Sequence, residues 1–306
     1  MLFIKSNQLQ AINELPPSVC SKSRNAFIDK PWSRFIDSFG TEPPHFPHLK
    51  ELELHDLGFR NSGDLNIRLE SSLSVLVIGY WRWAGYQDGM TESLIKAGCI
   101  KSLETLICDN VHINPNCDFE YWFLIANTQI KNLGCNGWIA PEALENDLLP
   151  LLCSSFEAPT SLSLDLDSFP ISHSAIEIIY RMNGLQQLYL SCCKELGRPC
   201  RWFVDHNTTR IHLIRLSCLR KLAFFGDTYR LGQLSDIEEQ YSLDKEDPDV
   251  TDSMTEEMAR SCMTQQSKYH RRRMMAEVAK CAEALPKLEW VYFGQYPMSI
   301  TKGRPK

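Results

Sequence analysis

Two stretches carry residue types whose spacing could do chemistry. Asp165 and Asp167 flank Leu166 in "SLDLDSF". Alternate side chains of a strand share a face, so both carboxylates would point one way and could take a divalent cation through oxygen. "CCKELGRPCRWFVDH" sets Cys192, Cys193, Cys200 and His206 close together in the chain. Thiolate and imidazole are zinc ligands, but zinc needs four that converge, normally from tighter pairs. Alternation would also split the adjacent Cys192 and Cys193 between opposite faces. Each stretch has a plain structural reading beside the chemical one. The aspartates fit the outward polar positions of a half-buried strand, and buried free cysteine serves as a small apolar residue. G-x-S-x-G, H-E-x-x-H, a phosphate-binding Walker loop and a dinucleotide-binding glycine fingerprint are all missing from the chain. No catalytic residue, cofactor or metal is therefore assigned, and the chain is read as a non-enzyme.

The elements that would position these residues follow from the leucines. The template L-x-x-L-x-L-x-x-(apolar) recurs at "LKELELHDL" from Leu49, "LSVLVIGYW" from Leu73, "LETLICDNV" from Leu103 and "IKNLGCNGW" from Ile130. It continues at "SLSLDLDSF" from Ser161, "LQQLYLSCC" from Leu185, "LRKLAFFGD" from Leu219 and "LEWVYFGQY" from Leu288. The intervals are 24, 30, 27, 31, 24, 34 and 69 residues; a leucine-rich repeat spans about 20–29. In each rung the central L-x-L is a short strand with its leucines turned inward, and the flanking apolar residues fill the core from the corners. One rung cannot bury its apolar face alone, so rungs must stack. "TESLIKAGCIKS", "APEALENDLLPLLCSSF" and "SHSAIEIIYRMNG" read as helical returns, the last with Ser172 or Ser174 as N-cap. In "YHRRRMMAEVAKCAEALPKLEW", Met275, Val278, Ala279, Ala282 and Leu285 keep a helical period, and Pro286 ends it. The expected fold is α/β: a leucine-rich-repeat solenoid, or horseshoe, with a parallel concave sheet and a helical or irregular convex side. A doubly wound α/β domain also alternates strand and helix, but it does not call for the extra apolar residue before each strand.

Residues 1–45 are expected to be an N-terminal cap or irregular segment, 46–300 the repeat domain, and 301–306 a tail. Leu234 to Glu257 is strongly acidic with few apolar residues, which predicts a mobile insertion. Within it Ser235, Ser242, Thr251, Ser253 and Thr255 are candidate phosphorylation sites. "KYHRRR", Lys268 to Arg273, reads either as a nuclear import signal or as the basic start of a helix. The net charge of −6 lacks the basic excess of a nucleic-acid binder. No apolar run reaches the ~18 residues of a membrane span. "MLFIKSNQLQ" turns polar after four apolar residues, too few for a signal peptide. A cytoplasmic or nuclear, monomeric protein without nucleic-acid or membrane partners is the expectation, and its scattered cysteines should be free thiols.

What remains is a surface. On the concave face the variable positions include Glu53, Asp109, Asp165, Asp167, Tyr189, Phe225, Trp290 and Tyr292. The four aromatics gather in the C-terminal rungs, where exposed rings could anchor a protein partner. Capping of the array end, or cover from the acidic insertion, would use the same rings structurally.

The rungs, the basic helix and the closing "VYFGQYPMSI" resemble the C-terminal leucine-rich region of fungal F-box-type proteins, over roughly residues 46–300. The resemblance implies a substrate receptor of a ubiquitin ligase, in which an F-box recruits the ligase adaptor and the repeats select the substrate. "NELPPSV", Asn13 to Val19, has the Leu-Pro of an F-box opening. Pro17, Ser18 and the basic stretch after them break the apolar helix that should follow, so adaptor binding is not expected of this segment. The alternatives to a binding scaffold are a metal protein or enzyme built on the two candidate stretches, and a truncated or decayed paralogue.

Overall fold

The computed structural model describes residues 25–28, 48–55, 72–79, 98–113, 119–166, 170–192, 202, 204–225, 227, 256–294 and 296–301. Its frame is one mostly parallel open sheet of ten strands in sequence order. The strands are β1 (Asn25–Ile28), β2 (Glu51–His55), β3 (Val75–Gly79), β4 (Thr105–Ile113), β5 (Asn132–Ile139), β6 (Ser161–Leu166), β7 (Gln187–Cys192), β8 (Lys221–Phe225), β9 (Trp290–Gly294) and β10 (Tyr296–Ser299). Every neighbouring pair from β1 to β9 is parallel, and β10 turns back antiparallel on β9. The order never reverses, whereas a doubly wound sheet must reverse at a switch point.

The registers line the strands up in rows. Leu52, Leu76, Leu106, Leu133, Leu162, Leu188, Leu222 and Val291 form one row. Ile78, Cys108, Cys135, Leu164, Leu190, Phe224 and Phe293 form another, two residues on. All fifteen are buried. The residues between them, such as Val77, Ile107, Ser163 and Tyr189, remain partly exposed. Leu49, Leu73, Leu103, Ile130, Leu185, Leu219 and Leu288 stand two residues before their strands and are buried as well. They are the corner residues that a strand alone would not require.

Successive strands are joined by one repeated contact. Lys50 O accepts from both Ser74 N–H and Val75 N–H; the same fork recurs at Ser74, Glu104, Lys131, Thr160, Gln186 and Arg220. Each strand therefore starts on the carbonyl just before its predecessor.

The returns supply the other layer. They are α1 (Phe119–Ala126), α2 (Pro141–Ala143), a π-helical turn (Leu144–Leu148), α3 (Leu149–Ser155), α4 (His173–Ile179), α5 (His206–Leu213) and α6 (Glu256–Ala284). Pro150 explains the wide turn: it has no N–H to give, and its ring crowds the carbonyl one turn back. Ala175, Ile176 and Ile179 of α4, with Leu213 of α5 and Met274, Val278 and Cys281 of α6, complete the core.

Five expectations are corrected here. The fifth rung was set two residues late: Ser161, not Ser163, pairs with Asn132 and Gln187. Its template begins at Pro159, which turns the intervals of 31 and 24 into 29 and 26. A strand at Asn25–Ile28 pairs with β2, so the sheet begins inside the segment expected to be an irregular cap. The buried stripe of the last helix runs Met274, Val278, Cys281, Leu285, while Met275 is 55% exposed. That helix reaches back to Glu256, taking in the final two residues of the expected insertion; 234–255 lie outside the described residues. The "TESLIKAG" return lies outside them up to residue 97, and Gly98 to Ser102 are not helical.

Candidate functional site

The open face of the sheet carries the best-defined constellation. Tyr189 of β7, Ala223 of β8 and Tyr292 of β9 share one row. Ser191, Phe225 and Gly294 share the next row of that face, and Gln187, Lys221 and Trp290 the one before. Two of these positions are small, which leaves room for rings to lean together. Phe225 stacks on Tyr189 with centroids 6.5 Å apart and on Tyr292 at 5.6 Å; Trp290 meets Tyr292 at 6.0 Å. These separations fall in the range where aromatic pairs attract beyond simple burial. All four rings are half-buried, while Ala223 beneath them is 2% exposed. The result is a continuous aromatic ladder over three strands, in which each ring leans on a ring of the neighbouring strand or row.

One carboxylate borders it. Asp165 stands between Asn136 and Ser191 in the same row as Phe225 and is 8% exposed. Burial, and next the charge of Asp165, push the Tyr189 phenol up to about 12. Near neutral pH the ladder thus presents Tyr189 as a neutral hydroxyl beside an acidic group.

The other expected surface residues do not join it. Glu53 is half-buried on β2, five strands from Tyr189. Asp109 pairs with Gly79 through the β3–β4 register; its side chain is outside the described set. Asp167 lies outside the described residues, so the paired-carboxylate site rests on Asp165 alone there. The corrected register also moves Asp165 out of the row of Tyr189.

The cysteine–histidine stretch resolves differently from its expectation. Cys193 and Cys200 lie outside the described residues. Cys192 is buried at the end of β7. His206 opens α5 behind the Asp205 N-cap, and its Nε2 lies 2.6 Å from Asp227 Oδ2. Asp227 Oδ1 also accepts from Val204 N–H, and the His206 ring packs on Phe293 at 4.9 Å. That nitrogen is committed to a buried carboxylate, so His206 serves a tie between α5 and the chain after β8. The partner, 21 residues away across a strand, could not be read from spacing.

Cysteine nucleophiles find no support in the two described thiols with displaced acidity. Burial pushes Cys281 up to about 11 and raises Cys153 as well, which keeps both protonated near neutral pH. The described cysteines carry no disulfides. Among the described residues, one grouping of potential metal ligands lies within 4.8 Å: His173 and Glu177 of α4 with His212 of α5. Its i,i+4 half was visible in "HSAIE"; its third member comes from the next return and was missed.

Among the described residues no helix is long and apolar enough to cross a membrane. No known protein family, curated protein or solved structure matches the chain.

Proposed function

We propose that the chain is a leucine-rich-repeat solenoid whose concave sheet binds a protein partner without catalysis. The repeated carbonyl fork, the two buried rows and the corner leucines support the repeat architecture. The single observation that carries the binding role is the aromatic ladder Tyr189–Phe225–Tyr292–Trp290 on the open face. Rings already stacked lose little rotamer freedom when a partner covers them, so burial contributes more fully to affinity. The polar groups around them, Asp165 and Lys221, would set orientation and reject mismatched partners. The resemblance to fungal F-box-type proteins supports a narrower form, in which the partner is a ligase substrate inside the cell. Recruitment of the ligase adaptor is not part of the proposal, because Pro17 and Ser18 interrupt the apolar pattern expected after the Leu15-Pro16 pair of an F-box opening.

Affinity capture from the source cells tests this, comparing the natural chain with a Tyr189→Ala/Trp290→Ala/Tyr292→Ala variant. A Val75→Ala/Val77→Ala variant on β3 is the control. Hot-spot aromatics cost about 2 kcal/mol or more each when truncated, so the triple change should abolish capture of the specific partner while the control retains it. Full retention by the triple variant would remove the ladder as the anchor. Co-purification of a ligase adaptor would restore the recruiting role.

A further inference from the structure

We propose that His173, Glu177 and His212 form a binding site for a divalent transition-metal ion of the zinc class, bridging the two neighbouring returns α4 and α5. Their ligand atoms lie within 4.8 Å of one another. Two imidazoles and one carboxylate are a recognised donor set for zinc, with a fourth position left for water or a partner's group. Imidazole nitrogen suits zinc, copper and nickel, whereas calcium and magnesium want oxygen donors throughout.

The geometry is close to what an ion would need. Tetrahedral zinc with bonds near 2.1 Å sets its ligand atoms about 3.4 Å apart. His173 Nε2 and Glu177 Oε1 are 3.7 Å apart, one helical turn from each other on α4. Both side chains are about half exposed, so a small rotation closes the difference. The His173 and His212 rings meet edge to face at 5.5 Å.

The surroundings fix the helices that carry the donors. Ser172 caps α4 by accepting from Ala175 N–H, and its hydroxyl donates to Glu145, which sets the position of His173. Asp205 caps α5 through Asn207 N–H and Thr208 N–H. The His212 ring lies flat on Tyr180, 5.2 Å between centroids and 7° between planes, and Tyr180 is fully buried. A second observation accompanies the cluster. His212 Nδ1 is buried and has no hydrogen-bond partner among the described residues. Buried ring nitrogens are normally satisfied, and an ion nearby is one reason for an orphan.

Bound zinc would tie the return after β6 to the return after β7, on the helical layer and away from the aromatic ladder. It therefore stands or falls separately from the binding role proposed above.

Zn2+ titration of the purified, reduced full chain tests the site, against His173→Ala/His212→Ala and against Glu177→Gln. One equivalent should bind the natural chain. The double variant should lose more than the ~10–100-fold that removing an outer-shell partner costs, with a smaller loss for Glu177→Gln. Zn2+ should raise the melting temperature of the natural chain and leave the double variant unmoved. The Co2+ form should show tetrahedral absorption without thiolate charge-transfer bands, separating this site from the cysteines. Equal binding by the double variant, thiolate bands in the Co2+ form, or a Kd weaker than about 1 mM would overturn the proposal.

Discussion

The middle and the C-terminal end of the sheet share one backbone register but are built with different materials. Around β4 and β5 the second buried row holds Cys108 and Cys135, and the open face shows Thr105, Asn132, Ile107 and Gly134. Around β8 and β9 the same row holds Phe224 and Phe293, stacked 5.4 Å apart, and the open face carries the aromatic ladder. The ties between returns differ too. In the middle, Asn127 is fully buried: its Oδ1 accepts from Ile100 N–H, and its Nδ2 donates to Gly98 O and Phe123 O. At the end, the buried His206–Asp227 pair does the equivalent work. A fixed rung can therefore be filled from small to large inside, and from bland to adhesive outside, without changing its neighbours' alignment. The energetic risk moves with the filling. The end depends on rings and a carboxyl–imidazole pair, the middle on an amide.

Phe224 and Phe225 give the sharpest break of that comparison, because they are adjacent and face opposite ways. Phe224→Ala should cost about 3–5 kcal/mol in urea unfolding. Phe225→Ala, at a partly buried position, should cost less than half as much while weakening partner capture. Similar losses from both would mean that the two faces are not distinct. The ties should rank next. Asp227→Ala strands His206 in a buried site and should cost about 3–5 kcal/mol. Asn127→Ala leaves the Ile100 N–H and two carbonyls unmet and should cost about 1–3 kcal/mol. Equal costs, read from the same denaturation curves, would erase the difference between a carboxyl–imidazole tie and an amide tie.

The smallest expected effect is optical. A raised tyrosine pKa means that the fold favours the neutral phenol. The stability it supplies is complete below the ordinary value near 10 and is lost as pH climbs toward about 12. The difference in alkaline absorbance between the natural chain and Tyr189→Phe should therefore appear near 12. Asp165→Asn should move it down only modestly, since burial is the larger cause. A midpoint near 10 would mean that the ladder leaves Tyr189 open to water.

Most strand positions were legible because two constraints coincide, an alternating pair and a corner leucine three residues before it. The fifth rung lost the second constraint. Pro159 stands at its corner, and "SLSLDL" alternates so evenly that a slip of two residues preserves every face. Faces survive such a slip, but row neighbours do not, so Asp165 keeps its face and changes its companions, to Asn136 and Ser191. The ladder was half legible: its rings were found as outward positions, but their stacking depends on Ala223 and Gly294 being small in adjacent rows. Adjacent methionines hid the stripe of α6, since Met274 and Met275 differ by one step of the helix. Pairs across strands, such as His206 with Asp227 or His212 with His173, have no sequence period at all.

The stacking of consecutive strands is tested most directly by cross-linking across β5 and β6. Asn132 and Ser161 are register partners, and neighbouring strands lie about 4.8 Å apart. An Asn132→Cys/Ser161→Cys chain should form that disulfide on mild oxidation, identified by peptide mapping. Asn132→Cys/Ser163→Cys separates the pair by two residues along the strand, to about 8 Å, beyond the ~7 Å reach of a disulfide. Bridging in the first chain and not in the second is the predicted result. Bridging only in the second, or in neither, would contradict the stacked register on which the faces, the ladder and its proposed partner depend.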